Sequence, residues 1–242
     1  MRRGFRCKED ILNSLKNGYD EIVDKTYNEN YLEAIQRFDF IAEEKLREIL
    51  DDFYDNERSR DQAWKTCKGS LYEYAVFRCI QQIIMKEDKL KDHFTILMGD
   101  EALAQHKEQI VIRNWNDILP DVDILIIEKE TGLVKVIVSC KTSLRERLTE
   151  TAFWKRELEK TKNMQNLKLV FVTTDKDNEL KIDTNRYILL HVIDCTFVTD
   201  PEKYKELIEV YSKKYGGRKD FNQLLSKVKF IEEIEEFLYN LC

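Results

Sequence analysis

Leu32, Ile35, Phe38, Ile41, Leu46 and Ile49 recur near a 3.6-residue period through YLEAIQRFDFIAEEKLREILDDFYDN, the spacing of one apolar helix face. Residues 1 to about 65 therefore read as helical. A further helix is predicted to begin near Gly69, where Ser70 can cap it; Leu71, Tyr74, Ala75, Phe77, Arg78 and Ile80 follow, and Glu73 stands in its first turn. The pattern then changes. QIVIRN (109–114), DVDILIIEK (121–129) and LVKVIVSCK (133–141) read as strands, and the EKETG between the last two reads as a turn. Gly132 supplies the positive φ that a short hairpin connection needs, so these two strands are expected to be antiparallel neighbours. RERLTETAFWKRELEKTKNM returns to helix, LKLVFVTTD is a strand, and RYILLHVIDCTFV reads as one long or two short strands. Two helices are expected at the end, PEKYKELIEVYSKKY opening with Pro201 and FNQLLSKVKFIEEIEEFLYNL following Gly216-Gly217. The predicted class is α/β (or α+β): a central mixed sheet of four or five strands flanked by helices, with helices added at both ends.

Composition narrows the setting. The 242 residues carry 40 Lys+Arg against 46 Asp+Glu, with 43% hydrophobic and 36% charged residues, which describes a soluble globular chain. Seven Gly and two Pro leave no room for a long flexible linker or a low-complexity tract. The longest apolar runs, ILII and VKVIV, fall far short of the roughly 20 residues that cross a bilayer, so no membrane span is expected. Glu9 and Asp10 stand where a secretion signal would have its apolar centre, and a cytoplasmic protein is inferred. Six scattered Cys without a CxxC pair indicate neither a zinc site nor a disulfide framework, and reduced structural thiols are expected. The net charge of −6 argues weakly against indiscriminate nucleic-acid binding, although a cleft can hold cations while acids lie elsewhere.

The chemistry is concentrated in LPDVDILIIEKETGLVKVIVSCKTSLRER. Side chains alternate along strands, so Asp121 and Asp123 share one face; Ser139 and Lys141 share a face while Val136, Val138 and Cys140 point the other way. Acids and Lys can therefore meet. An Asp in a strand of Val, Ile and Leu is costly to bury unless it is paired or binds a metal. Carboxylates beside a Lys suit metal-dependent phosphodiester hydrolysis: hard oxygens hold Mg²⁺, the metal activates water, and the Lys positions that water or offsets charge. A surface hairpin ending in a solvated Lys produces the same pattern, and the residues alone leave both readings open.

Pro120-Asp121, the apolar strand after it and the second strand ending Ser139-Cys140-Lys141 resemble the PD-(D/E)XK nuclease superfamily, more narrowly the type II restriction endonucleases. SCKTSLRER resembles the S-x-K signature followed by R-(D/E)-R in restriction enzymes that read CCGG, or CC and GG separated by a central base pair. The resemblance covers about residues 65 to 200. It implies a restriction-endonuclease-like fold, with residues 1–65 as a helical region for dimerisation or DNA contact and 66–242 as the nuclease core. It also implies an acid from a preceding helix, and KGSLYEYAVFRCI puts Glu73 in that role. Ser139 stands where the superfamily has an acid two residues before the Lys. The resembling branch takes that acid from the helix after the Lys, where Glu150 and Glu157 lie seven residues apart on one face, neither at the expected spacing. Between Asp121 and Asp123 the choice of principal metal ligand stays open: the proline-aspartate dipeptide favours the first, the head of the apolar strand the second.

Arg145, Glu146 and Arg147 follow the Lys closely. Arg can bond bidentately to guanine O6 and N7 and Glu can accept from cytosine N4, so the set can read G·C pairs in the major groove. A charged helix start is the plainer explanation, although two Arg there oppose the helix dipole. The implied protein is a Mg²⁺-dependent endonuclease of a restriction-modification system, acting on double-stranded DNA at a G·C-containing palindrome, with a homodimer as the matching assembly. A repair or structure-selective nuclease of the same superfamily and a non-catalytic DNA-binding protein are the alternatives. No GxxxxGK(S/T) or GxGxxG loop is present, so no nucleotide cofactor is expected, and His93, His106 and His191 lack a Ser or Cys partner for a triad. Lys155, Arg156, Lys160 and Lys162 could contact phosphates or form a solvated face. Phe153 and Trp154 are assigned to the core.

Overall fold

The computed structural model describes residues 7–113, 115, 117–120, 122–143, 147–160 and 166–242. The chain divides into two compact units, Met1–Cys79 and Ile80–Cys242, with the boundary inside one long helix.

The first unit is helical: α1 (Glu9–Tyr27), α2 (Tyr31–Gln36), α3 (Phe38–Ile41) and most of α4 (Glu57–Lys86). Ile11, Leu15, Tyr19 and Val23 of α1 are all buried, one residue per turn, which is why this charged segment folds as an amphipathic helix. Asn30 caps α2 by accepting the Glu33 N–H at 3.2 Å. Helix α4 runs straight through Gly69 and Ser70, so the predicted start at Ser70 is corrected to Glu57. Its first turns read as polar, yet Trp64 and Cys67 are buried. Lys68 joins them because Asp39 and Glu43 neutralise it at 2.6 and 2.7 Å. Cys7 and Cys67 form a disulfide, which overturns the expectation of reduced thiols throughout; the other four cysteines are free.

The second unit carries a mixed six-stranded sheet in the order β1 (Phe94–Met98), β2 (Ile124–Glu128), β3 (Val134–Lys141), β4 (Lys168–Thr173), β5 (Cys195–Val198), β6 (Val228–Phe230). The first three strands are antiparallel and the last four, β3 included, run parallel. As the alternation predicts, β2 and β3 form a hairpin, turning at Gly132 with φ +67°. The register shifts at Ile126/Ile127, where Lys135 is the extra residue. The bulge sets Val134 and Ile137 on one face with Leu125 and Ile127, within the main core. Helices α6 (Gly99–Ile110), α7 (Arg147–Glu159), α8 (Asp183–His191), α9 (Pro201–Tyr215) and α10 (Phe221–Lys227) contribute to that core through Ala102, Leu148, Leu158, Leu189, Tyr211 and Leu224. Val136, Val138, Val170, Val172 and Phe197 are buried too, so β3, β4 and β5 read as nearly continuous apolar runs.

Several sequence expectations are corrected. Gln109–Asn114 is not a strand: Gln109 and Ile110 end α6, and Ile112 makes an isolated bridge to Ile118. The Gln109 side chain donates to the Gly132 carbonyl at 2.8 Å and accepts the Val134 N–H at 2.9 Å, tying the helix end to the hairpin. RYILLHVIDCTFV is the end of α8 followed by β5, with Leu189 and Leu190 inward and Tyr187 exposed. The last predicted helix is broken by β6, so the sheet gains an edge strand; α5 (Asp88–His93) leads into β1, and α11 (Ile234–Tyr239) closes the chain.

Candidate active site at the end of the β2–β3 hairpin

Asp123 immediately precedes β2, and the antiparallel pairing of Ile124 with Val138 brings it beside the end of β3. There the Cys140 N–H donates to Asp123 Oδ2 at 2.7 Å, and Lys141 Nζ donates to Oδ2 and Oδ1 at 2.9 and 3.1 Å. Asp123 is 6% exposed, so a carboxylate in an apolar setting is held by an ammonium and an amide N–H, the condition for keeping such a charge buried. Its own carbonyl accepts the Gly99 N–H at 3.0 Å, which fixes the backbone under the acid. Gly99 has φ +59°, a conformation that L side chains rarely adopt. Ser139 is buried on the same face of β3 as Lys141.

The other expected residues are distributed as follows. Glu73 lies half-buried on α4, in the first unit. Glu150 is exposed in the first turn of α7; Glu157 is half-buried on the same helix and ion-paired with Lys160. Asp121, Arg145 and Glu146, the side chain of Arg147, and Lys162 lie outside the described residues. Among the described residues no group of three or more His, Cys, Asp or Glu is placed to hold a metal ion. Asp123 alone nevertheless offers the hard carboxylate oxygens that Mg²⁺ takes, so its donor chemistry fits that ion.

The helix after the hairpin departs from expectation. Lys155 is buried rather than solvated, paired with Asp194 at 2.7 Å and donating to the Leu167 carbonyl, so it is a structural cation and no phosphate contact. Phe153, assigned to the core, is 53% exposed, whereas Arg156 and Lys160 are solvated.

The ends of β3 and β4 are laced together just ahead of residues 144–146. Thr174 Oγ1 and the Lys176 N–H both donate to the Thr142 carbonyl, at 3.2 and 3.3 Å, and Ser143 donates to Asp177. Sequence reasoning passed over this lacing because its donors are ordinary loop residues. Asp175, with φ +50°, is 1% exposed; its Oδ1 accepts the Leu180 N–H at 3.2 Å, and its Oδ2 is buried without a hydrogen-bond partner. Burial raises this carboxyl from 3.8 to about 6, against the lowering effect of the Leu180 and Glu179 N–H groups. The folded value lies above the unfolded one, so the stabilisation is complete below pH 3.8 and is lost as pH rises through about 6. Urea unfolding should lose about 3 kcal/mol from this group between pH 4 and pH 7. Asp175→Asn should flatten that part of the profile; a variant that keeps the wild-type slope would place its origin elsewhere.

The family model described as BsaWI restriction endonuclease type 2 matches residues 102–224, just over half of the chain and including the whole hairpin. A Methanocaldococcus jannaschii protein named "Putative type II restriction enzyme MjaVIP" is 26% identical over 152 residues, covering 57% of this chain and 67% of that protein. A Helicobacter pylori protein named "Probable type II restriction enzyme HpyAORF263P" is 25% identical over 158 residues, covering 58% and 80%. Among solved structures, "Restriction endonuclease PspGI-substrate DNA complex" superposes with a TM-score of 0.62 over 95% of this chain and 92% of that one. At 14% sequence identity that likeness is one of fold, and the fold is restriction-endonuclease-like.

Proposed function

Because the chain belongs to the BsaWI family of type 2 restriction endonucleases, which are site-specific endonucleases, we propose that it hydrolyses phosphodiester bonds of double-stranded DNA with Mg²⁺ at a G·C-containing palindrome. The observation that carries the reading is the Asp123–Lys141 pair, an acid and an ammonium joined across two adjacent strands inside the matched segment. This is also the juxtaposition that membership of the PD-(D/E)XK superfamily implies. Mg²⁺ would be held by Asp121 and Asp123, with Glu73 and one of Glu150 and Glu157 as further oxygen donors. When bound, it supplies activation of a water and charge offset at the scissile phosphate.

Lys141 is aimed by both oxygens of Asp123 and so presents a fixed N–H donor at the end of β3, suited to orienting the attacking water. Ser139 fills the position of the family's second strand acid, on the same face. Arg145, Glu146 and Arg147 would read bases, with CCGG or CC and GG elements as the class of site that this side-chain set suits. A two-fold homodimer matches a palindrome, each protomer cutting one strand.

Arg145→Ala and Arg147→Ala test the specificity. Each should lower cutting at the cognate duplex by about 5- to 150-fold and relax discrimination at a G·C position. A uniform loss across all duplexes with a shallower salt dependence would assign the two residues to phosphates, and wild-type cutting would remove them from recognition.

A further inference from the structure

We propose that Trp115 is a DNA-contact residue, its indole seated against the nucleotides beside the phosphate to be cut. The inference rests on the nuclease reading above and adds a binding residue to it. Trp115 is 100% exposed, while Trp64 is buried with its Nε1 donating to Glu43 and Trp154 is half-buried. A tryptophan offers the largest apolar area of any side chain, and leaving all of it in water calls for a partner outside the chain.

The surroundings of Trp115 are anchored. Ile112 and Ile118 exchange two backbone hydrogen bonds, N–H to O at 2.9 and 3.0 Å, which closes a narrow neck on either side of the indole. Below the neck Ile110, Val111 and Pro120 are buried, and Leu119 packs on the main core. The neck also fixes direction. Its second limb runs through Pro120 straight into Asp123 and β2, and β2 is antiparallel to β3. The start of β2 and the end of β3 therefore lie at one end of the sheet, where Asp123 meets Lys141. Trp115 is carried by the segment that enters at that end. An indole there can stack on a base face or pack on deoxyribose, contacts that carry affinity without reading sequence. A second copy of the chain could also cover an exposed indole, but the shared sheet end with Asp123 and Lys141 favours DNA.

The test uses the full chain in the Lys141→Ala background, so that duplex DNA stays intact, with and without Trp115→Phe. Adding duplex should change the emission attributable to Trp115. Trp115→Ala should weaken binding by about 5- to 150-fold, with Trp115→Phe retaining part of the affinity. Because the indole is uncharged, the salt dependence should keep its slope, unlike the loss of a phosphate-binding cation. The thermal midpoint of Trp115→Ala should match its parent, since the side chain buries nothing.

Three results would overturn the proposal: DNA binding with the Trp115 emission unmoved, wild-type affinity in Trp115→Ala, or a Trp115 signal that follows protein concentration without DNA. The last would assign the residue to a contact between copies. If neither the wild type nor Lys141→Ala binds any duplex, the nuclease reading fails first and this inference falls with it.

Discussion

Lys141→Ala should bind duplex DNA and fail to cut it, with the cleavage rate down by about 10²- to 10⁴-fold. The ammonium lies within 3.1 Å of both Asp123 oxygens and is 17% exposed, so it is oriented by the acid while open enough to meet substrate. Removing it leaves a buried carboxylate with its largest charge offset gone, which should also cost stability. Lys141→Arg separates the two effects. It keeps the charge, and so most of the stability, but its planar fork cannot reproduce the point donor, so cutting should stay low. Binding and cleavage measured on one duplex distinguish the outcomes, and wild-type cutting by Lys141→Ala would take this residue out of the mechanism.

Asp123→Asn should lose cleavage by a comparable factor, for a different reason. Its carbonyl can still accept the Cys140 N–H, now made at 2.7 Å, so the hairpin should fold. What disappears is the charge that aims Lys141 and the carboxylate oxygens that suit Mg²⁺. Duplex binding should persist or tighten, since a negative charge near the phosphates has gone. The same experiment resolves the choice the sequence leaves open. If Asp121→Asn abolishes cutting while Asp123→Asn cuts normally, the principal ligand is Asp121, and Asp123 serves to aim Lys141.

The hairpin was legible because two physical rules agree on it. Period-two alternation puts Asp123 on one face of its strand and Ser139 and Lys141 on one face of the next, and Gly132 supplies the turn that makes the strands antiparallel neighbours. The pairing of Asp123 with Lys141 follows from those rules alone. The short edges of the sheet were not legible: β1 and β6 have five and three residues, too few to display a period, and their apolar residues fit a neighbouring helix equally well. α8 was misread because Ile188, Leu189 and Leu190 are consecutive, an apolar run that fits a buried strand as well as a helix. The burial of Lys155 depends on Asp194, which comes from another part of the chain, and the Cys7–Cys67 disulfide spans 60 positions that carry no spacing signal. Trp115 escaped notice for a related reason: an isolated Trp between polar residues says nothing about exposure until the neck at Ile112 and Ile118 is seen.

The central claim is most directly tested by incubating the purified protein with long duplex DNA in Mg²⁺, repeating the incubation with EDTA, and sequencing the ends produced. The account predicts discrete ends at one recurring G·C-containing palindrome, present with Mg²⁺ and absent with EDTA. Random degradation would contradict the site-specific part of the account, and intact DNA under all metal conditions would contradict the nuclease itself.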